Sequence, residues 1–378
     1  MDTRPVRSIV DADSHVMEPA EVWDHLPPEY APRRPFIITG EDRPILQGMN
    51  SFWYIDGKTY PQPVGRGVSI YATPVTQARA TRKPWGLGSQ TLLDVPARLA
   101  DLDRAGFAVQ VNFPTLFLEP LTEDPAFEAA LIRSYDTFMA QQCGQAPERL
   151  KWAALLPLQD PDRAADEVRW AREQGAVCLG TTYCTVGDVG LDDPRFDVVW
   201  RALEQTGLPL CLHCGWSIPD VRRLFNTSYG AHALGFTLPL LCAFYAFVGG
   251  GILDRFPRLK VGFLEAGCEW IPWLVQRLDH YFEAETRNGR PLPQARASEY
   301  LRQCAIYFTT EAEERNLPYV LDCVGDDRLM ISGDMPHSEA RDDAVAEIEE
   351  RTDLTPEQKQ RLLHDNAARF YALEAALA

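Results

Sequence analysis

Asp13 and His15 stand two residues apart just after a short apolar run, Ser8-Ile9-Val10. On a strand, alternate side chains point the same way, so this pair presents a carboxylate and an imidazole to one side. Donors so placed can grip one metal ion from two directions. More acids and imidazoles follow later apolar runs: His213, Glu265, Glu311 and Asp334, the last within Ser332-Gly333-Asp334-Met335-Pro336-His337. Each alone has an ordinary explanation, such as a turn-forming Asp before Met335-Pro336. Together they form a hard-to-borderline ligand set, and the chemistry they point to is metal-assisted.

Such residues need a frame that brings distant segments together. Short β-rich runs alternate with amphipathic helical stretches, with strands expected at Ser8–Asp13, Phe107–Phe113, Lys151–Pro157, Ala176–Thr181, Leu208–His213, Leu259–Leu264, Ala305–Thr310 and Arg328–Ser332. Regular βα repetition implies a parallel sheet, and eight units fit a closed (β/α)8 TIM barrel, of the α/β class. An open doubly wound sheet would want a Gly-rich phosphate loop after the first strand, where Asp11–His15 stands instead. In a barrel the chemistry collects at the C-terminal strand ends, which is where the acids and imidazoles fall. The pattern breaks at about 24–91, rich in Pro, Gly and aromatics, which predicts a lid subdomain inserted after strand 1 of a single barrel spanning 1–378. Asp56-Gly57 marks a hairpin within it.

Composition narrows the partners. Lys+Arg total 37 against 54 Asp+Glu, a formal net charge of −17, which disfavours nucleic acid and anionic membranes. The 46% hydrophobic content is that of a soluble chain with a sizeable core. Nine cysteines at irregular spacings, with no apolar leader in the first residues, are expected as free thiols in a reducing cytoplasm. Cys211 and Cys214 form a CxxC without the second pair that a zinc ribbon needs. Leu234–Leu253 is expected as a buried helix, since Pro239 and Gly249-Gly250-Gly251 interrupt it.

Four stretches carry a family resemblance: Asp13-Ser14-His15-Val16-Met17-Glu18-Pro19, Leu212-His213-Cys214-Gly215-Trp216, Arg255-Phe256-Pro257-Arg258-Leu259-Lys260-Val261, and Ser332–His337. The chain resembles the amidohydrolase superfamily, in the branch of amino-carboxymuconate-semialdehyde decarboxylase and related aromatic-acid decarboxylases. The resemblance implies one divalent metal, most often zinc, held by Asp13, His15, His213 and Asp334, and a homo-oligomer, commonly a dimer. Two positions depart from the family. Asp13 stands where the leading ligand is usually His or Glu, and Glu265 stands where strand 6 commonly ends in His. Beside a metal, Glu265 is held ionised and suits a general base or a further ligand.

The function expected is a hydrolase or non-oxidative decarboxylase of a small, aromatic or conjugated carboxylic acid, with Glu265, Asp334 and His337 as the catalytic groups. Trp216, His232, Phe236 and the aromatic stretch 52–60 are candidates for an apolar wall, and Arg66 or Arg82 for a carboxylate clamp. The alternative from another reaction class is an oxygen-dependent monooxygenase with two iron or iron and manganese ions, in which Glu265, His337 and Glu311 help hold the second ion. That reading requires an electron-donor protein. A catalytically silent partner subunit is the third.

Overall fold

The computed structural model describes residues 8–40, 51–62, 85–289, 292–337 and 340–373. Eight parallel strands follow one another around the sheet: β1 (Val10–Val16), β2 (Val109–Pro114), β3 (Leu150–Leu155), β4 (Cys178–Thr181), β5 (Leu210–His213), β6 (Lys260–Leu264), β7 (Ala305–Thr310) and β8 (Leu329–Ile331). Main helices alternate with them: α1 (Val95–Ala105), α2 (Pro125–Cys143), α3 (Pro161–Gln174), α4 (Asp197–Thr206), α5 (Leu238–Val248), α6 (Trp270–Arg287), α7 (Leu317–Val324) and α8 (Ala344–Glu350). The fold is a (β/α)8 barrel. The first and last strands meet through hydrogen bonds rather than a regular ladder. Asp334 N–H donates to Asp13 O, His15 N–H to Met335 O, and the Ser332 hydroxyl to Asp13 O.

The helices start and stop where the sequence tells them to. Asp94, Asp124 and Asp160 each accept a hydrogen bond from a first-turn amide and precede a proline in the first turn, a favourable start. Gly106, Gly175 and Gly207 end α1, α3 and α4 in left-handed conformations that glycine tolerates best.

Strand phase decides which side chains reach the interior. Val10, Ala12, Val109, Val111, Phe113, Cys178, Cys211, Leu264, Tyr307 and Met330 fill the barrel, while Val16, Leu210, Leu212, Val261, Phe263 and Phe308 pack outward under the helices. Phe370, Tyr371 and Leu373 close the interior from the C-terminal segment. The Tyr371 hydroxyl donates to Ala12 O, and the Phe370 ring leaves no room for a Cβ at Gly262. Phe244 and Phe247 of α5 pack on Phe263, so the apolar run 234–253 has a buried face. The nine cysteines are free, and seven are buried.

Between β1 and α1, Phe36–Thr39, Ser51–Ile55 and Lys58–Tyr60 form a small antiparallel sheet, turning at Asp56-Gly57 with positive φ at both. Its inward residues Trp53, Ile55 and Tyr60 are buried, with Trp53 edge-on to Trp23. This is a correction: these aromatics anchor the insertion to the core rather than walling the metal-ligand cluster. Arg66 and Arg82 lie outside the described residues.

Two buried charges brace the barrel where β1, β2 and β8 meet. Asp11 accepts from Ser14 Oγ, Gln110 Nε2 and the Gly333 amide. Arg98, fully buried on α1, donates to Gln110 Oε1, Asn112 Oδ1 and His15 O. Burial lowers its guanidinium to about 10, so it stays charged near neutrality. Arg98→Leu is expected to cost about 3 kcal/mol by urea denaturation, since it strands several buried acceptors. Arg104→Leu, on a half-exposed arginine of the same helix, should change stability by less than ~1 kcal/mol.

Candidate metal centre

Three local distortions turn the donors inward. In β1 the pairing register slips between Asp11 and Ser14, a β-bulge of one extra residue. Val10 and Ala12 face the interior before it, and after it the phase is reversed, so that Asp13 and His15 face the mouth. β1 also runs to Val16, beyond the expected end at Asp13. In β6, Leu264 already points inward, and the next side chain of a regular strand would point out. Glu265 instead has φ of 59°, which swings its carboxylate into the mouth. Asp334 has φ of 49° beyond β8. Left-handed backbone costs a non-glycine residue roughly 1 kcal/mol or more. At Glu265 the cost is offset by its amide donating to Thr309 Oγ1, and at Asp334 by the bond to Asp13 O. Glu314 fixes the neighbouring loops by accepting from the amides of Cys268, Glu269 and Glu311 and from the Thr310 hydroxyl.

His213 Nε2 lies 2.8 Å from Glu265 Oε2 and 3.5 Å from Asp13 Oδ1. His15 Nε2 lies 3.2 Å from Glu265 Oε2, 3.5 Å from Asp334 Oδ1 and 3.8 Å from Asp13 Oδ1. Both Asp13 oxygens, both Nε2 atoms and Glu265 Oε2 are buried, yet none is aligned for a hydrogen bond among the described residues. Buried polar atoms normally find partners. Here their lone pairs converge on shared points, as ligands around a cation do. The other ring nitrogens complete the argument. His15 Nδ1 is 2.8 Å from Pro114 O and His213 Nδ1 2.8 Å from Cys214 O. A carbonyl only accepts, so each Nδ1 carries the proton and each Nε2 is left free to ligate.

The donors fall into two overlapping groups, Asp13–His15–His213–Glu265 and His15–Glu265–Asp334–His337, with all atoms in a group within 4.8 Å of one another. The four residues expected around one ion are thus gathered at one mouth, with Asp13 and His213 on one side and Asp334 on the other. His337 stacks on His15 at 3.9 Å, and its Nδ1 is 2.9 Å from Asp334 Oδ1. Glu311, expected as a second-ion ligand, belongs to neither group. β7 runs to Thr310, and the Glu311 amide turns to Glu314. Its carboxyl is pushed up to about 9 by burial and by the charges of Asp334, Glu313, Glu314 and Glu265. No cysteine enters either group.

Beyond the end of β5, the Trp216 ring stacks with His232 at 5.9 Å and meets Phe236 at 5.0 Å. Gly215 ties this cluster to β5, donating to Phe236 O, and has no room for a Cβ between Leu118 O and Thr182. Phe113 lies against both imidazoles, 6.4 Å from His15 and 5.8 Å from His213. Behind it a cavity opens between Phe117, Leu121, Leu131, Leu155 and Gly180. Glu18, within the stretch Asp13–Pro19, has a role that the sequence alone does not announce. It is buried and accepts from the amides of Thr115 and Leu116, tying β1 to the β2 loop that carries Thr115 against His337.

A family model described as amidohydrolase matches residues 87–373. The chain belongs to the amidohydrolase family. It is 24% identical over 307 residues to the gamma-resorcylate decarboxylase of Rhizobium sp. (strain MTP-10005), covering 77% of this chain and 91% of that protein. An amidohydrolase from Mycobacterium avium subsp. paratuberculosis K-10 superposes with a TM-score of 0.77, covering 96% of this chain and 97% of that one, at 18% identity. The 5-carboxyvanillate decarboxylase of Novosphingobium aromaticivorans, solved with bound manganese, superposes with a TM-score of 0.66 at 23% identity, covering 79% of this chain and 85% of that one. The chain is thus an enzyme, the two relatives of named reaction given above are decarboxylases, and its mouth carries a divalent-metal site.

In the metal-free protein, burial alone would push His213 down, but Asp13 and Glu265 outweigh it and hold the imidazole well above its usual value. His15 is lowered to about 4 by burial and His337, so it is neutral near pH 7. A cation must therefore displace one proton, from His213. Manganese titration calorimetry in buffers of different ionisation enthalpy should show about one proton released per ion. Apparent affinity should weaken roughly tenfold per unit as pH falls from 7. A pH-independent affinity would contradict this assignment.

Proposed function

We propose that this amidohydrolase is a metal-dependent, non-oxidative decarboxylase of a small aromatic carboxylic acid. The observation that carries the reading is the set of buried, unpaired donor atoms of Asp13, His15, His213 and Glu265 at the barrel mouth. The named reactions of its relatives supply the substrate class. Carboxylates and imidazoles are equal in number here, a mixed donor set that accommodates manganese, the ion in the 5-carboxyvanillate decarboxylase structure, as well as the zinc expected from the resemblance.

A divalent ion at the mouth would be held by Asp13, His15, His213 and Glu265, with Asp334 beside it, and would supply Lewis acidity to the substrate carboxylate. The protein's own groups do the rest. Asp334, abutted by His337, holds the proton that replaces CO2 on the substrate carbon. Trp216, His232 and Phe236 offer an aromatic wall for the substrate ring. Phe113 keeps water from the inner side of the imidazoles.

The test is CO2 release from a panel of hydroxylated and methoxylated benzoates, with manganese-loaded protein. One or more should be decarboxylated, chelator should abolish the activity, and Asp334→Asn should lower kcat by at least ~100-fold while the fold is kept. Turnover of esters or amides with no CO2 from any acid would favour hydrolysis instead.

A further inference from the structure

We propose that the cavity at the ends of β2, β3 and β4 houses a short apolar substituent on the substrate ring, so that the substrate is an aromatic acid carrying a small alkyl group. This rests on the decarboxylase reading given above and narrows its substrate class.

Two sets of contacts put the cavity beside the metal centre. The Phe113 ring lies against both imidazoles. A Cβ added at Gly180 would touch the same ring at 3.5 Å and Leu155 at 3.6 Å, and Gly180 and Leu155 both line the cavity. Thr115 Oγ1 lies 3.0 Å from His337 Nε2, and Phe117, two residues on, stands in the cavity wall. Two residues of chain span at most ~7 Å, the length of a benzene ring with a small substituent.

The walls choose the occupant. Phe117, Leu121, Leu131, Ile132, Leu155 and Leu156 supply apolar surface. The polar groups among them are already engaged with other protein groups. Glu128 accepts from the Tyr183 hydroxyl at 2.6 Å and from Gln159 Nε2 at 2.9 Å. Glu119 accepts from both terminal nitrogens of Arg222, at 2.6 and 2.8 Å. The Thr122 hydroxyl donates to Asp56, and the Thr181 hydroxyl accepts from the Tyr183 amide. Water gains few hydrogen bonds in such a place, so an apolar group displaces it at little cost. Two buried carboxyl groups in the wall also disfavour an anionic occupant.

Room sets the size. The centres of water-sized groups have about 30 Å3 there, enough for roughly two or three of them. The inserted sheet keeps the wall from yielding, since the Tyr60 hydroxyl donates to Leu121 O and Asp56 holds Thr122.

The test is titration calorimetry of the full chain loaded with Mn2+. The probes are 2-nitrophenols, in which a nitro group stands for the carboxylate and cannot leave as CO2, bearing hydrogen, methyl, ethyl, propyl or pentyl at each free ring position. At one position, affinity should rise about fourfold per carbon up to ethyl or propyl and fall at pentyl. Ile132→Phe, which fills the cavity, should bring the ethyl-to-hydrogen affinity ratio to about one. Ile132→Val, which enlarges it, should move the optimum to a longer chain. Equal affinities along the series at every position would overturn the proposal, as would a ratio that both variants leave unchanged or no binding by any probe. Absence of CO2 release from every benzoate would sink the decarboxylase reading and leave the binding series untouched.

Discussion

Like charges forced together in a dry place set the terms for the rest of the molecule. Asp13, Glu265 and Asp334 converge on two imidazoles with donor atoms 2.8–3.8 Å apart. Without a cation, such a cluster works against folding, because buried carboxylates repel one another and lose their hydration. The surrounding structure holds it in place all the same. A bulge re-aims β1, two residues adopt left-handed backbone, and buried Asp11, Arg98 and Glu18, with half-buried Glu314, tie the neighbouring loops. Stability given up at the mouth is regained when metal binds, because binding energy in a site that exists only in the folded chain is folding energy.

These braces divide the labour. Arg98 and Asp11 join β1, β2 and β8, where the ladder is irregular, and so fix Asp13, His15 and Asp334 relative to one another. Glu314 works on the opposite side, between the loops after β6 and β7, and so fixes Glu265. Metal sites are sensitive to such outer partners, because a ligand misplaced by a fraction of an ångström loses much of its bond. The aromatic cluster of Trp216, His232 and Phe236 hangs from the end of β5 through Gly215, two residues beyond His213.

The barrel was legible because its signal repeats: eight apolar runs separated by helical stretches leave few architectures open. The acids and imidazoles at strand ends stood out for the same reason, since the barrel rule says where to look. What stayed hidden depends on phase and on long-range partners. Nothing local in Phe263-Leu264-Glu265 announces a left-handed residue. Arg98 looks like any helix arginine until its five donors are traced across the chain. The aromatics at 52–60 suggest a lid from composition alone, but Trp53 and Tyr60 point into the core because alternate strand residues do.

The C-terminal segment that plugs the barrel links the order of synthesis to the site. Phe370 and Tyr371 reach the interior beside β1, β5 and β6, and the Tyr371 hydroxyl bonds the carbonyl next to Asp13. The first ligands to leave the ribosome are thus supported by nearly the last residues described. The interior beside β1 and β6 is therefore complete only when that C-terminal segment is in place. The surroundings of Asp13 thus depend on both ends of the described chain.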